Sequence, residues 1–131
     1  MPIEMPRGLP FSVDIWTLAS SLTRHRFHIH AHRDHLAGIA GTAAALCIYA
    51  SSVTVLIMLR YFPQFNRAAL WSLRPARLRC SCALMFLFEG AFSAVLHTGD
   101  CLLTTDCVHA LPLLPHPSRL IDYIFVDCTF A

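Results

Sequence analysis

The residues with the clearest chemical meaning lie between positions 30 and 38. The sequence there is His-Ala-His-Arg-Asp-His-Leu-Ala-Gly. Imidazole and carboxylate ligands suit zinc, and two zinc ions about 3.5 to 4 Å apart can generate hydroxide and hold the oxygens of a phosphate ester. The pattern therefore predicts a two-metal site that hydrolyses phosphate esters.

The spacing of these residues indicates how the ligands are arranged. In an extended segment every second side chain points the same way, so we expect His30, His32 and Asp34 to converge. His35 would then face a neighbouring position, and Asp34 with His35 are the predicted catalytic residues. An alternative stays open, because His25 and His28 lie just upstream and a histidine-rich surface tract produces the same pattern by chance.

Several strands and helices are predicted to position this motif. Alternation of apolar and polar residues predicts strands at 11–15 and 26–30, the second leading into the motif. The other predicted elements are a helix from residue 36 onward, a short strand at 53–55, a helical turn at 56–62, a hairpin with strands at 84–88 and 92–97 turning at Glu89-Gly90, and a strand at 121–125. No structure is predicted for the arginine-rich segment 66–79.

Composition leaves a membrane protein as an alternative. The chain has 131 residues, a net charge of +2, 56% hydrophobic residues and a mean hydropathy of +0.54. Residues 36–59 contain no charged side chain, and as one helix they would span about 36 Å, enough for a hydrocarbon core of about 30 Å. A small two-span protein, with 82–96 as its second span, is therefore the competing hypothesis. Against it, Ser51-Ser52 interrupts the first span and Glu89 is costly in lipid.

The cysteines and the N-terminus bear on the compartment. Six cysteines are present, but Glu4 and the early prolines do not resemble a secretory signal, so we expect reduced thiols. Cys80 and Cys82 lack a second, similarly spaced pair of ligands, so they do not form a convincing zinc-finger pattern. Ordinary buried cysteine is the preferred interpretation.

Four segments, taken in order, resemble a known family. They are Phe11-Ser-Val-Asp-Ile-Trp16, the motif at 30–38, Met85-Phe-Leu-Phe-Glu-Gly90 followed by Val95-Leu-His-Thr-Gly-Asp100, and the acidic-x-Thr-Phe ending within 122–130. Together they resemble the metallo-β-lactamase-type DNA cross-link-repair nucleases, the Artemis/Apollo-like family, over most of the chain. The resemblance implies an α/β (α+β) fold in which residues 1–131 form the first lobe of an αββα sandwich, without the second lobe and the β-CASP domain.

The same resemblance implies a function and a set of ligands. Family members are nuclear, zinc-dependent nucleases that trim DNA from 5′ ends during interstrand cross-link and double-strand-break repair. Carried over to this sequence, His30 and His32 would bind the first metal, Asp34 and His35 the second, and Asp100 would bridge them. Asp14 would support the ligands from behind.

The sequence departs from the family at one ligand. The family has a His-Cys-Pro-Gly sequence before the hairpin, whereas this chain has Arg79-Cys-Ser-Cys82. A fixed positive charge beside a dication lowers metal affinity, so we expect a weakened first site and doubtful catalysis.

Partner predictions follow from arginines and from the sheet. Arginine pairs with phosphate, so the predicted DNA contacts are Arg60, Arg67, Arg74 and Arg77. The alternative is that these arginines belong to a solvated basic loop without a DNA-binding role. The nearby aromatic residues Phe62, Phe65 and Trp71 suit base stacking or, alternatively, the core. A sheet face without its partner lobe leaves apolar surface exposed. A third hypothesis is therefore a non-enzymatic binding remnant that associates with a second copy through this face.

Overall fold

The computed structural model describes residues 5–6, 8–17, 23–33, 35–41, 47–74, 84–101, 104–109 and 120–126. These divide into two compact units, residues 1–74 and 75–131. Each unit contains one β-sheet and helical segments. The expected mixed α/β (α+β) class is therefore confirmed.

The first unit is built on four parallel strands. They are β1 (Phe11–Val13), β2 (His25–Phe27), β3 (Cys47–Ser51) and β4 (Leu70–Leu73), hydrogen-bonded in the order β1-β2-β3-β4. The strand predicted at 11–15 is confirmed over its first part, and the one predicted at 26–30 is displaced toward the N-terminus. Strand β4 lies in the segment for which the sequence predicted no structure.

Helix α1 (Ser52–Tyr61) connects β3 to β4. It begins where the Ser51 hydroxyl accepts a hydrogen bond from the Thr54 amide at 3.2 Å, and Pro63 follows its last turn. The strand predicted at 53–55 is therefore wrong, whereas the helical turn predicted from residue 56 is part of this helix. The serine cap and burial at helical spacing outweigh the β-propensity of the branched residues.

The core of the first unit lies between α1 and one face of the sheet. Val55 and Met58 of the helix are fully buried against Ile48 and Ala50 of β3 and Leu70 of β4. Burial of such side chains stabilises a fold by about 1.5–3 kcal/mol each, so this cluster fixes the helix on the sheet.

The helix predicted from residue 36 onward is wrong for the described residues 35–41. They form turns and a short 3₁₀ helix, Ile39–Gly41. Gly38 has φ +85°, a conformation that no α-helix contains and that glycine adopts without strain. Its Cα also lies close to the backbone of Trp16: an added Cβ would meet the Trp16 carbonyl oxygen at 3.1 Å.

The second unit is a three-stranded sheet. Strands β5 (Phe86–Gly90) and β6 (Ser93–His97) form the predicted antiparallel hairpin, and β7 (Tyr123–Phe125) pairs with β6 in parallel. The predicted strand at 121–125 is thus confirmed in shorter form. The turn lies at Ala91-Phe92, later than predicted, and the Phe92 ring covers Gly90, where a Cβ would meet it at 2.5 Å. Helix α2 (Thr105–His109) was not predicted.

Across the residues that the structure describes, every helix is too short or too polar to cross a membrane. The apolar stretch considered as a span contains instead a 3₁₀ helix, strand β3 and most of α1.

Replacement of Gly38 by alanine tests the close approach to Trp16. A side chain at positive φ costs about 1–2 kcal/mol, and we expect Gly38→Ala to lower the free energy of unfolding by at least that amount in urea titrations. Gly41→Ala is the matched control, since a Cβ there meets nothing within 4 Å among the described residues. Equal stability of the two variants would contradict the role given to Gly38.

Candidate metal centre

The histidine motif begins where strand β2 ends. The His28 amide donates to the Tyr49 carbonyl at 2.8 Å and extends the ladder between β2 and β3 by one residue. The chain then turns, because the His32 amide donates to the His30 carbonyl at 3.0 Å and the His35 amide donates to the His32 carbonyl at 3.2 Å. The expected extended conformation is therefore wrong, and a compact turn places the motif instead.

This turn brings three imidazoles together. The ring centroid of His30 lies 4.0 Å from that of His32 and 4.6 Å from that of His35. His30 and His32 each offer a ring nitrogen, and these two atoms lie within 4.8 Å of each other. His30 and His35 are buried, whereas His32 is exposed. The described part of the chain thus contains a possible metal-binding cluster, open to solvent on the His32 side.

The carboxylate of Asp14 accepts hydrogen bonds from two histidines and holds their rings in place. His28 donates from Nδ1 to one carboxylate oxygen at 2.6 Å, and His35 donates from Nδ1 to the other at 2.7 Å. The amide of Ile29 donates to the same side chain at 3.1 Å. Asp14 follows β1 with φ +52°, a left-handed conformation that aspartate tolerates better than most residues. One carboxylate therefore joins the end of β1 to both sides of the motif.

Asp14 is ionised under ordinary conditions. Burial by itself raises the pKa of this carboxyl, but the hydrogen bonds and the charges of His28 and His35 outweigh it and hold the pKa at about 2. An ionised carboxylate accepts a hydrogen bond from the Nδ1–H of each ring, so Nε2 is the nitrogen through which either ring, once neutral, can bind a metal ion. This is the arrangement in which imidazole binds a metal ion.

Trp16 and Arg26 form the wall on the other side of His28. The Trp16 indole donates to the His35 carbonyl at 2.7 Å and packs edge-on against the His28 ring at 5.5 Å. The guanidinium of Arg26 lies 5.8 Å from the centre of the indole, a cation–π contact. Burial lowers the pKa of Arg26 from its ordinary value. These contacts limit how far the His28 and His35 rings can move.

The structure places the other predicted ligands as follows. Asp34 lies outside the described residues. Asp100 is in the second unit, half-buried, directly after Gly99 with φ +60°. Both remain predicted ligands, assigned by the sequence motif and by resemblance.

The predicted DNA-contacting residues differ in position. Arg60, Arg67 and Arg74 are exposed. Arg77 lies outside the described residues, and so does Arg79, which stands where the family has a ligand histidine. Phe65 is buried in the core, which confirms the core interpretation for this residue. Trp71, by contrast, is 54% exposed.

Sequence reasoning missed His28. It was grouped with a surface tract, yet the residue is fully buried and shares Asp14 with His35. Two-residue alternation from the buried Arg26 through His28 to His30 is the signal that would have placed it on the inner face.

Comparisons with known proteins support a nuclease relationship. The chain is 30% identical to the 5′ exonuclease Apollo of Danio rerio over 92% of its length and 28% identical to that of Gallus gallus over 93%. The Rattus norvegicus protein of the same name is 30% identical over 70% of the chain. The chain spans about a quarter of the length of these relatives, from 20% to 29%. No protein-family model matches the sequence.

Replacement of Asp14 by asparagine tests the anchoring role. Asp14→Asn keeps the shape but removes the charge, and the loss of charge-assisted hydrogen bonds predicts a decrease of about 3 kcal/mol in the free energy of unfolding at neutral pH. The exposed Asp106→Asn is the control, with an expected change within about 0.5 kcal/mol.

The effect of this substitution should depend on pH. Because the folded-state pKa of Asp14 lies below the ordinary 3.8, its stabilisation is complete above about pH 4 and is lost as the pH falls towards 2. The stability gap between the two proteins should therefore close in acid, and a gap independent of pH would contradict the argument.

Proposed function

Because the chain is related to the Apollo/Artemis-like nucleases along about nine-tenths of its length, we propose that it takes part in hydrolysis of DNA phosphodiesters at 5′ ends. We infer that it contains the metal-binding first lobe of a metallo-β-lactamase-type αββα sandwich. The observation that supports this most is the cluster of His30, His32 and His35 backed by the ionised Asp14. The interpretation as a chance surface tract explains neither the convergence of the rings nor the shared carboxylate.

The residues present suit zinc. His30 and His32 would hold the first ion, Asp34 and His35 the second, and Asp100 would bridge them. Bound zinc supplies a Lewis acid that lowers the pKa of water and polarises phosphoryl oxygens. Asp14 accepts a hydrogen bond from Nδ1 of His35 and fixes the orientation of that ring, so the cost of ordering the ligand is met before metal binds.

The proposed substrate is DNA, and the proposed compartment is the nucleus, where repair of cross-links and double-strand breaks takes place. Arg60, Arg67 and Arg74 are exposed residues of the first unit, as phosphate contacts require. Arg77 is proposed to join them on the basis of its place in the sequence.

A second proposal concerns self-association. The rings of Phe27, Tyr49 and Trp71 stack across three adjacent strands, with centroids 4.9 Å and 6.2 Å apart. They lie on the face of the sheet opposite to α1, because Ile48 and Leu70, which alternate with Tyr49 and Trp71, pack under the helix. An aromatic stripe of this kind supports pairing with a second copy of the chain.

Zinc content provides the first test. The purified chain should retain sub-stoichiometric zinc, measured by plasma emission spectrometry after gel filtration. His32→Ala or Asp34→Ala should remove most of it because each deletes a proposed ligand. His109→Ala is the control, since His109 is an exposed residue of α2. Zinc content indifferent to the first two substitutions would contradict a metal centre.

Nuclease activity provides the second test. With 5′-phosphorylated single-stranded DNA, we expect little release of nucleotides, because Arg79 puts a fixed positive charge where the family has a ligand histidine. Any release should disappear with chelator and in His32→Ala. Robust, chelator-resistant digestion would contradict the proposal.

The effect of Arg79 can be measured separately by zinc titration. Arg79→His should tighten zinc binding at least about tenfold, since removal of a cation beside a dication is worth more than about 1.4 kcal/mol. Arg74→His is the control, and an equal gain in both variants would show that the position has no special role.

A further inference from the structure

A cavity of about 540 Å³, open to solvent, lies in the first unit and is lined in part by the segment that carries the histidine motif. One wall is formed by residues of the 31–37 segment, which includes Arg33, Leu36 and two alanines, and the other by Ile57, Tyr61 and Phe62 at the end of α1. The volume falls within the range of about 300–1000 Å³ that small-molecule sites have. The two zinc ions of the proposed centre would not fill such a space.

The cavity borders the chain segment that carries the motif. Ala31 and Arg33, which line the cavity, are the sequence neighbours of His30 and His32, whose ring centroids lie 4.0 Å apart. A group bound in the cavity therefore lies along the segment that carries the proposed metal ligands. The sequence motif, which concerns only the ligands, assigns no role to this neighbouring space.

The chemistry of the walls is that of an aromatic ligand with an anionic group. The described lining residues contain one charged side chain, Arg33, which is exposed and carries a fixed positive charge. The other polar group among them is the hydroxyl of Tyr61. The ring of Tyr61 is 70% exposed, whereas Phe62 is half-buried beside it. Aromatic faces stack on nucleobases, and guanidinium pairs with phosphate.

We propose that this cavity binds one nucleotide of the substrate, with its base against Tyr61 and Phe62 and its phosphate at Arg33. The inference rests on the proposed function and names the part of the substrate that the first unit holds. An aliphatic anion, such as a fatty acid, also satisfies charge and apolarity, but it cannot stack on the aromatic rings that line the cavity.

The test is nucleotide binding by the whole chain with zinc removed. Thymidine 5′-monophosphate is titrated in the presence of EDTA and followed by isothermal titration calorimetry or NMR, so a failed metal centre does not affect the result. We expect saturable binding, with thymidine and inorganic phosphate each at least about tenfold weaker, because each lacks one of the two contacts. Decanoate is the probe for an aliphatic anion.

Two substitutions assign the contacts. Arg33→Gln should weaken binding of the monophosphate about tenfold or more and leave thymidine binding unchanged, whereas Tyr61→Ala should weaken both. The matched controls are Arg24→Gln and Tyr123→Ala, which remove an exposed arginine and an exposed tyrosine that do not line the cavity. Circular dichroism checks that each variant is folded, and Arg33→Lys keeps a charge should Arg33→Gln fail to fold.

Three results would overturn the inference. They are inorganic phosphate binding as tightly as the nucleotide, decanoate binding more tightly than it, and Arg33→Gln and Tyr61→Ala behaving like their controls. Zinc content indifferent to His32→Ala and Asp34→Ala in the separate metal test, with nucleotide binding retained, would overturn the proposed metal centre and leave the cavity assignment in place.

Discussion

The first unit depends on one interaction: a buried, ionised carboxylate shared by two imidazoles. Asp14 accepts from His28 and His35 and from the Ile29 amide. A buried carboxylate without such partners is strongly unfavourable, so the residues on both sides of the motif must meet at this point for the chain to fold. The same bonds that make the carboxylate tolerable also determine which imidazole nitrogen is available to a metal. Stability and site geometry therefore have a common cause.

The surrounding structure explains why this meeting point is well defined. The parallel register of β1 with β2 brings Asp14 level with the start of the histidine segment, and the Asp14 amide donates to the Phe27 carbonyl at 3.0 Å. Trp16 then fixes the far side of the turn through the His35 carbonyl, and Gly38 lets the chain pass close to the tryptophan backbone. Each step depends on a residue type that is unusual at its position: aspartate at positive φ, a tryptophan with a buried indole donor, and glycine.

Local sequence patterns predicted β1, β2, β7 and the hairpin, because apolar alternation and turn residues are local signals, but they did not predict β3 and β4. The convergence of His30 and His32 was also predicted, since the residue types and their spacing are typical of metal ligands. The helix from residue 36 and the strand at 53–55 failed, because Gly38 and the Ser51 cap outweighed general propensity. His28 was missed because its partner, Asp14, is distant in sequence, and a long-range hydrogen bond leaves no local pattern.

Strand β1 is an edge of the described sheet, only three residues long and bonded to β2 alone. Edge strands open more readily than central ones, so amide hydrogens there exchange with solvent early in local unfolding. Each such fraying event would withdraw the Asp14 carboxylate and allow the His28 and His35 rings to change tautomer. An ion held by His35 would in turn suppress the fraying, so slow amide exchange in β1 would report that the ion is bound.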